Sequence, residues 1–172
     1  MIIALMGLPG AGKTTLSKVL FERYKSIEAK PVVVKLSHYV ERELGHRCSL
    51  DEINFYYKQK IDLFGKSYWA KQIIADSFDK TLIIDGVWFT NELVEFSRLD
   101  KGNYVGIMLY EERTTLYERG CQTTIQKGED IFEFERVMNI IRTFDFNSFL
   151  PYVTFSNKED FLPMLDDIVL NK

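Results

Sequence analysis

Residues 7–15 read Gly-Leu-Pro-Gly-Ala-Gly-Lys-Thr-Thr, and their types and spacing suit the binding of a phosphate chain. Gly7, four residues and then Gly12, Lys13 and Thr14 make the P-loop pattern. Glycines let the backbone curl so that successive N–H groups face anionic oxygens, where a Cβ would obstruct them. Lys13 has the reach to meet β- and γ-phosphates, and the Thr14 hydroxyl is a ligand for Mg²⁺. The candidate nucleotide-binding stretch is therefore Gly7, Leu8, Pro9, Gly10, Ala11, Gly12, Lys13, Thr14 and Thr15. A tight turn that matches the pattern by accident is the competing reading. Its position after an apolar run and before a helical one favours phosphate binding.

A second chemical group stands at Asp85, the end of "TLIID", followed by Gly86. A carboxylate at the carboxyl end of a strand faces the same crevice as a P-loop, where it can hold Mg²⁺ directly or through water. Asp-Gly is also a common turn dipeptide, so the P-loop elsewhere in the chain is what tips the reading towards the metal. Further on, Arg113, Arg119, Arg136 and Arg142 flank the polar stretch Gly120–Glu129. Such a loop suits a lid that excludes water and brings guanidinium groups to a transferring phosphoryl. With Glu111, Glu112, Glu133 and Glu135 close by, the same arginines also fit a solvated face of ion pairs.

The elements that must position these groups follow from hydrophobic pattern. Short, almost wholly apolar runs at Ile2–Met6, Pro31–Leu36, Thr81–Asp85, Tyr104–Leu109 and Tyr152–Phe155 read as strands covered on both faces. Helical patterns lie between and after them at Lys13–Tyr24, Ser37–Leu44, Leu50–Phe78 with a break near Gly65, Asn91–Arg98, Arg113–Gly120, Asp130–Phe144 and Lys158–Leu170. Ser49 with Glu52 makes a capping box for the third. Alternating strands and helices imply right-handed parallel crossovers, hence a three-layer α/β/α domain with a five-stranded parallel sheet.

The 172 residues suffice for one domain with a real core, and nearly half of them are apolar, which excludes disorder. A formal net charge of −3 argues against a nucleic-acid backbone or an anionic membrane as the main partner, though not against small phosphate ligands. Cys48 and Cys121 lack metal-like or redox-like spacing and read as free thiols in a reducing compartment. No apolar run has transmembrane length and the opening run lacks a cationic start, so the expected location is cytoplasmic.

The order of these features resembles the nucleoside monophosphate kinase family, in particular its small adenylate-kinase-like and dephospho-CoA-kinase-like members. The resemblance follows the element order of the whole chain. It is carried most specifically by "GLPGAGKTT" and less so by "LIIDGVWFTNELVEF", which is similar to the Asp-Gly block of such kinases with a following glutamate at Glu92. It implies a sheet of order 2-3-1-4-5, ATP with Mg²⁺ as donor, and an acceptor held by the helical region at about 37–78. It further implies a lid over about 113–136. Lys13, Asp85, Arg113 and Arg119 would be the catalytic groups, with Thr14 and Asp85 on the metal.

The acceptor half departs from that pattern. "LSHYVERELG" places His38 where relatives have Asp, Glu41 at the arginine position and Arg42 one residue on; Trp88 replaces an arginine expected after Asp85-Gly86; and Lys58, Lys60 and Ile61 stand where another arginine is expected. Arginine forks onto phosphate in a way that lysine or tryptophan cannot reproduce. The candidate acceptor residues are therefore His38, Arg42, Lys60 and Trp88. Trp88 and Phe89, with Tyr39, Tyr56, Tyr57, Tyr68 and Trp69, suit either the stacking of a base or plain core packing. His38 suits either proton transfer from an acceptor hydroxyl or a structural role.

These residues are compatible with three functions. The first is a phosphotransferase acting on a nucleoside monophosphate or similar nucleotide. The second is a kinase of a hydroxyl acceptor such as a nucleoside, a dephospho-CoA-like coenzyme precursor or another metabolite. The third is a P-loop switch that binds or hydrolyses ATP.

Overall fold

In the computed structural model, residues 1–7, 10–27, 29–76, 79–87, 90–99, 104–109 and 163 are described. The elements in chain order are β1 (Ile2–Gly7), α1 (Lys13–Ser26), β2 (Pro31–Val34), α2 (Leu36–Leu44), α3 (Leu50–Phe64), α4 (Tyr68–Ala75), β3 (Thr81–Asp85), α5 (Thr90–Leu99) and β4 (Tyr104–Leu109). The four strands form one sheet in the order β2-β3-β1-β4, with every neighbouring pair parallel. This places the first four strands as the resemblance implied. The described sheet nevertheless has four strands where five were expected, because the expected fifth, Tyr152–Phe155, lies outside the described residues. The expected helices Arg113–Gly120, Asp130–Phe144 and Lys158–Leu170, and the lid, likewise lie outside them.

The strands run almost wholly apolar because the central two are covered on both faces. Every residue of β1 and of β3 is buried. β2 stands at the edge of the described sheet and opens on Pro31, whose missing N–H is tolerated there. Its Val33 is exposed, so this strand is covered less completely than its neighbours. Ile3, Leu5, Ile83, Ile84 and Ile107 form the middle of the core, and Leu16, Leu20 and Tyr24 of α1 join them. Burial of each such side chain stabilises the fold by about 1.5–3 kcal/mol before conformational entropy is counted.

The helical region between β2 and β3 resolves into three helices. Gly45 ends α2 in the left-handed conformation at φ 77°, and its N–H donates to Glu41 O. Ser49 and Glu52 form a complete capping box at the start of α3, as their spacing predicts. The run expected to break near Gly65 does so: Gly65 closes α3 at φ 89°, and α4 begins at Tyr68. Helices α2, α3 and α4 pack on one another, while α1 packs on β2 and β3, and α5 on α4 and β4. Among the described residues no helix is long and apolar enough to cross a membrane.

Candidate active site

The turn from β1 into α1 is built on glycines that take backbone angles other residues avoid. Gly7, Gly10 and Gly12 have φ of 151°, 81° and 95°. At Gly7 space forbids a side chain as well, since a Cβ there would stand 2.4 Å from the Leu109 carbonyl oxygen of the paired strand β4. Gly12 is the N-cap of α1, and no side chain caps that end. The helix dipole favours an anion at this end. Lys13 arches back over the turn, its Nζ donating to Gly7 O at 2.7 Å. Leu8 and Pro9 lie outside the described residues, Ala11 is buried, and Thr14 and Thr15 are exposed.

Asp85 meets this turn from the neighbouring strand. The register pairs Leu5 with Asp85, and Thr14 Oγ1 donates to Asp85 Oδ2 at 2.9 Å across a separation of 71 residues. The Asp85 side chain is only 2 % exposed, and a buried carboxylate needs partners to offset its desolvation. One is the Thr14 hydroxyl. The other is Lys35, whose Nζ stands 3.2 Å from the same Oδ2. Gly86, at φ 98°, then turns the chain away, and the Val87 N–H donates to Leu5 O at 2.8 Å.

A hydroxyl and a carboxylate oxygen at hydrogen-bonding distance are hard oxygen donors of the kind Mg²⁺ takes. Among the described residues no group of three or more His, Cys, Asp or Glu side chains could hold a metal. A cation at this corner would thus be held by Thr14, Asp85, water and the oxygens of a bound phosphate chain, which is the usual arrangement for Mg²⁺ in nucleotide sites.

Lys35 was not singled out from the sequence, although the signal was there. "PVVVK" ends a run of valines in a charge just as "TLIID" does, and the rule that ligands bind beyond the carboxyl ends of parallel strands covers both. The β2–β3 register pairs Val34 with Ile84, and continuing it by one residue sets Lys35 beside Asp85.

The candidate acceptor residues stand differently. Arg42 pairs with Asp76, Nη1 to Oδ2 at 2.5 Å, and lies over the Tyr39 ring at 4.5 Å. Hydrogen bonding to Asp76 raises its already high pKa. Lys60 pairs with Glu43 at 2.8 Å, and its Nζ lies between 5.1 and 5.4 Å from the ring centres of Tyr56, Phe64 and Tyr68. Glu43 also accepts from Tyr56 Oη at 3.1 Å and Tyr68 Oη at 2.7 Å. Burial pushes the Glu43 carboxyl up, but the hydrogen bonds from Lys60, Tyr68 and Tyr56 outweigh it and hold the group below the usual carboxylate range. His38 is exposed in the first turn of α2. Trp88, Phe89, Arg113, Arg119, Arg136 and Arg142 lie outside the described residues.

Of the aromatic set, Tyr57 and Trp69 are buried in the core, stacked at 5.9 Å between ring centres and 10° between planes. Trp69 Nε1 donates to Tyr57 O at 3.2 Å. Tyr39 is buried as well, and Tyr56 and Tyr68 pack against the core from its margin. Core packing therefore accounts for these five rings.

With this geometry in hand, comparison with known structures gives the fold its place. A shikimate kinase from Bacteroides thetaiotaomicron superposes with a TM-score of 0.60 at 16% identity, covering 99% of this chain and 98% of that one. The Mycobacterium tuberculosis APS kinase CysC, in complex with AMPPNP and APS, superposes with a TM-score of 0.57 at 10% identity, covering 99% of this chain and 97% of that one. The fold is that of the small P-loop kinases. In sequence, the chain is 31% identical over 119 residues to a UPF0200 protein of Sulfurisphaera tokodaii, a match of 69% of this chain to 63% of that relative's length. No family model matches the chain. In such a fold, the carboxyl ends of β1, β2 and β3 are where Lys13, Thr14, Asp85 and Lys35 gather.

Proposed function

We propose that this chain is a phosphotransferase that moves the γ-phosphoryl group of ATP to a small acceptor, with Mg²⁺, as a cytoplasmic enzyme of metabolism. The observation that carries the reading is the contact between Thr14 and Asp85, 2.9 Å apart, beside a glycine-built helix start that already holds Lys13. In this reading the acceptor oxygen attacks the γ-phosphorus while the bond to the β–γ bridging oxygen breaks. ADP leaves with that electron pair. A phosphate acceptor contributes an oxygen that is already anionic, whereas a hydroxyl acceptor gives up its proton to solvent or to a base.

The protein's work is positioning and charge neutralisation. The backbone N–H groups of the turn from Gly10 to Thr15 bind the phosphate oxygens, and Lys13 turns from Gly7 O to the β- and γ-oxygens. Thr14 and Asp85 orient the metal, which when bound offsets the negative charge of the phosphate chain. Arg113 and Arg119 act from a lid over about 113–136, and the acceptor lies against the helical region at about 37–78, within one domain spanning 1–172.

A nucleoside monophosphate remains the first acceptor to test. A hydroxyl acceptor stands beside it for a specific reason: Arg42 and Lys60 each already face a carboxylate of the protein, which offsets the charge either could offer a substrate phosphate. The resemblance to kinases named for shikimate and APS supports the same widening. The test is a screen of nucleoside monophosphates, nucleosides, dephospho-CoA, APS and shikimate for acceptor-dependent release of ADP. ADP release that depends on one acceptor bears the reading out. ATP hydrolysis indifferent to every acceptor turns it into a switch, and failure to bind AMPPNP with Mg²⁺ sinks it.

A further inference from the structure

We infer that Lys35 is the residue that binds an oxyanion of the acceptor, so that the acceptor carries a phosphate, carboxylate or sulfate group close to the atom that receives the phosphoryl. This inference rests on the phosphotransferase reading of the same site and narrows its substrate class.

Three observations carry it. Lys35 follows β2 directly and stands in extended conformation, φ −116° and ψ 133°, as the N-cap of α2. It is thus placed between the phosphate-binding turn and the helices α2, α3 and α4. Its Nζ shares Asp85 Oδ2 with the Thr14 hydroxyl, so the ammonium sits at the corner where the γ-phosphoryl would arrive. Its side chain is 38 % exposed although its partner is nearly sealed. An ammonium has three donors, and one directed at Asp85 leaves two for a ligand.

The pairing also pre-organises the lysine. A free lysine loses considerable side-chain freedom when it binds a ligand, whereas Asp85 holds this one at the corner before metal and ligand arrive. Arg42 and Lys60, the cations expected to do this work, pair with Asp76 and Glu43 of the helical region, whereas Lys35 pairs with Asp85 at the phosphate-binding turn. A lysine offers a point charge rather than a planar fork, so it accepts any compact oxyanion. That suits a chain in which the arginine positions of nucleotide acceptors are replaced.

The experiment loads the full chain with AMPPNP and Mg²⁺, which fills the donor side, and then titrates inorganic phosphate, sulfate or acetate while amide chemical shifts are followed. The expected result is saturable binding of at least one of the three, seen at residues flanking Lys35 and Asp85. Lys35→Met should weaken it by at least about tenfold, and Lys35→Arg should restore most of it. The ion that binds tells phosphate, sulfate and carboxylate acceptors apart. Equal binding by Lys35→Met and the parent chain overturns the inference, leaving Lys35 a neutraliser of Asp85 only. Absence of binding by all three ions to the loaded parent chain overturns it too. If Lys35→Met does not fold, Lys35→Gln is read in the same way. Failure of AMPPNP to bind at the outset is a separate result, which takes down the phosphotransferase reading and this inference with it.

Discussion

The two halves of the molecule that flank β2 and β3 treat charge in opposite ways. At the turn after β1, Lys13 rests on a backbone carbonyl, the start of α1 has no side-chain cap, and the buried Asp85 gathers a hydroxyl and an ammonium around one oxygen. These groups meet where the carboxyl ends of β1, β2 and β3 come together. In the helical half, Arg42 pairs with Asp76, and Lys60, Tyr56 and Tyr68 converge on Glu43. The first arrangement is the one proposed to receive a ligand, and the second links α2, α3 and α4. A charged residue is therefore informative about function only once its partners are known.

The sharpest test of that contrast is at Lys13. Lys13→Ala should lower phosphoryl transfer by at least about 10³-fold, equivalent to roughly 4 kcal/mol, while the melting temperature changes little. ADP release with an acceptor, read beside a thermal melt, checks it. A large loss of stability with the activity retained would make the turn a structural device and erase the contrast.

Gly7→Ala attacks the backbone of the same turn instead of its charge. The new Cβ would collide with Leu109 O and must also take a φ of 151°. A loss of about 3 kcal/mol or more in urea unfolding is expected, from strain together with disruption of the β1–β4 pairing. A loss under about 1 kcal/mol would show that the turn relaxes easily, and would weaken the case that its shape is held for a ligand.

Why one half was legible from sequence and the other was not follows from the range of the interactions. The P-loop is local: each of its glycines answers to a backbone angle within a few residues, so the spacing of Gly7, Gly12, Lys13 and Thr14 already implies the turn. The position of Asp85 beside the turn follows because strand ends converge in a parallel sheet, and the break at Gly65 and the capping box at Ser49 are local signals as well. Lys35 obeys the same strand-end rule, but no local spacing announces its approach to Asp85. The pairing of Arg42 with Asp76 joins residues 34 apart in sequence, and that of Lys60 with Glu43 joins different helices. Periodicity does not encode such contacts. The aromatic set left both a base-stacking and a core reading open, and only the burial of Tyr57 and Trp69 decides for the core.

Within the helical half, Glu43 offers a test by pH. Its folded-state pKa is held low, so its stabilising contribution is present above the ordinary carboxylate range and is lost as pH falls through that range towards its folded value. At pH 7 Glu43→Gln should therefore be less stable than the parent chain by about 1–2 kcal/mol, since three donors lose a charged acceptor. The gap should narrow below about pH 4. Urea unfolding of both chains across that window reads it. A gap that stays constant with pH would mean that packing, and not the charge, is what Glu43 supplies.

The smallest expected effect separates the two halves most finely. Arg42 is more than half exposed, and a surface ion pair with a ring contact is worth at most about 1 kcal/mol. Arg42→Ala should cost no more than that in stability and should leave the KM of both ATP and the acceptor within about twofold, because its charge is spent on Asp76. Asp76→Ala then supplies the complementary reading: it frees Arg42 without removing it. If Arg42→Ala raises the acceptor KM alone, the guanidinium leaves Asp76 for substrate during turnover. The Arg42–Asp76 pair would then hold only until the acceptor arrives. If both substitutions leave the acceptor KM unchanged, recognition falls to the cation at the end of β2, and the division between a half that binds and a half that braces stands.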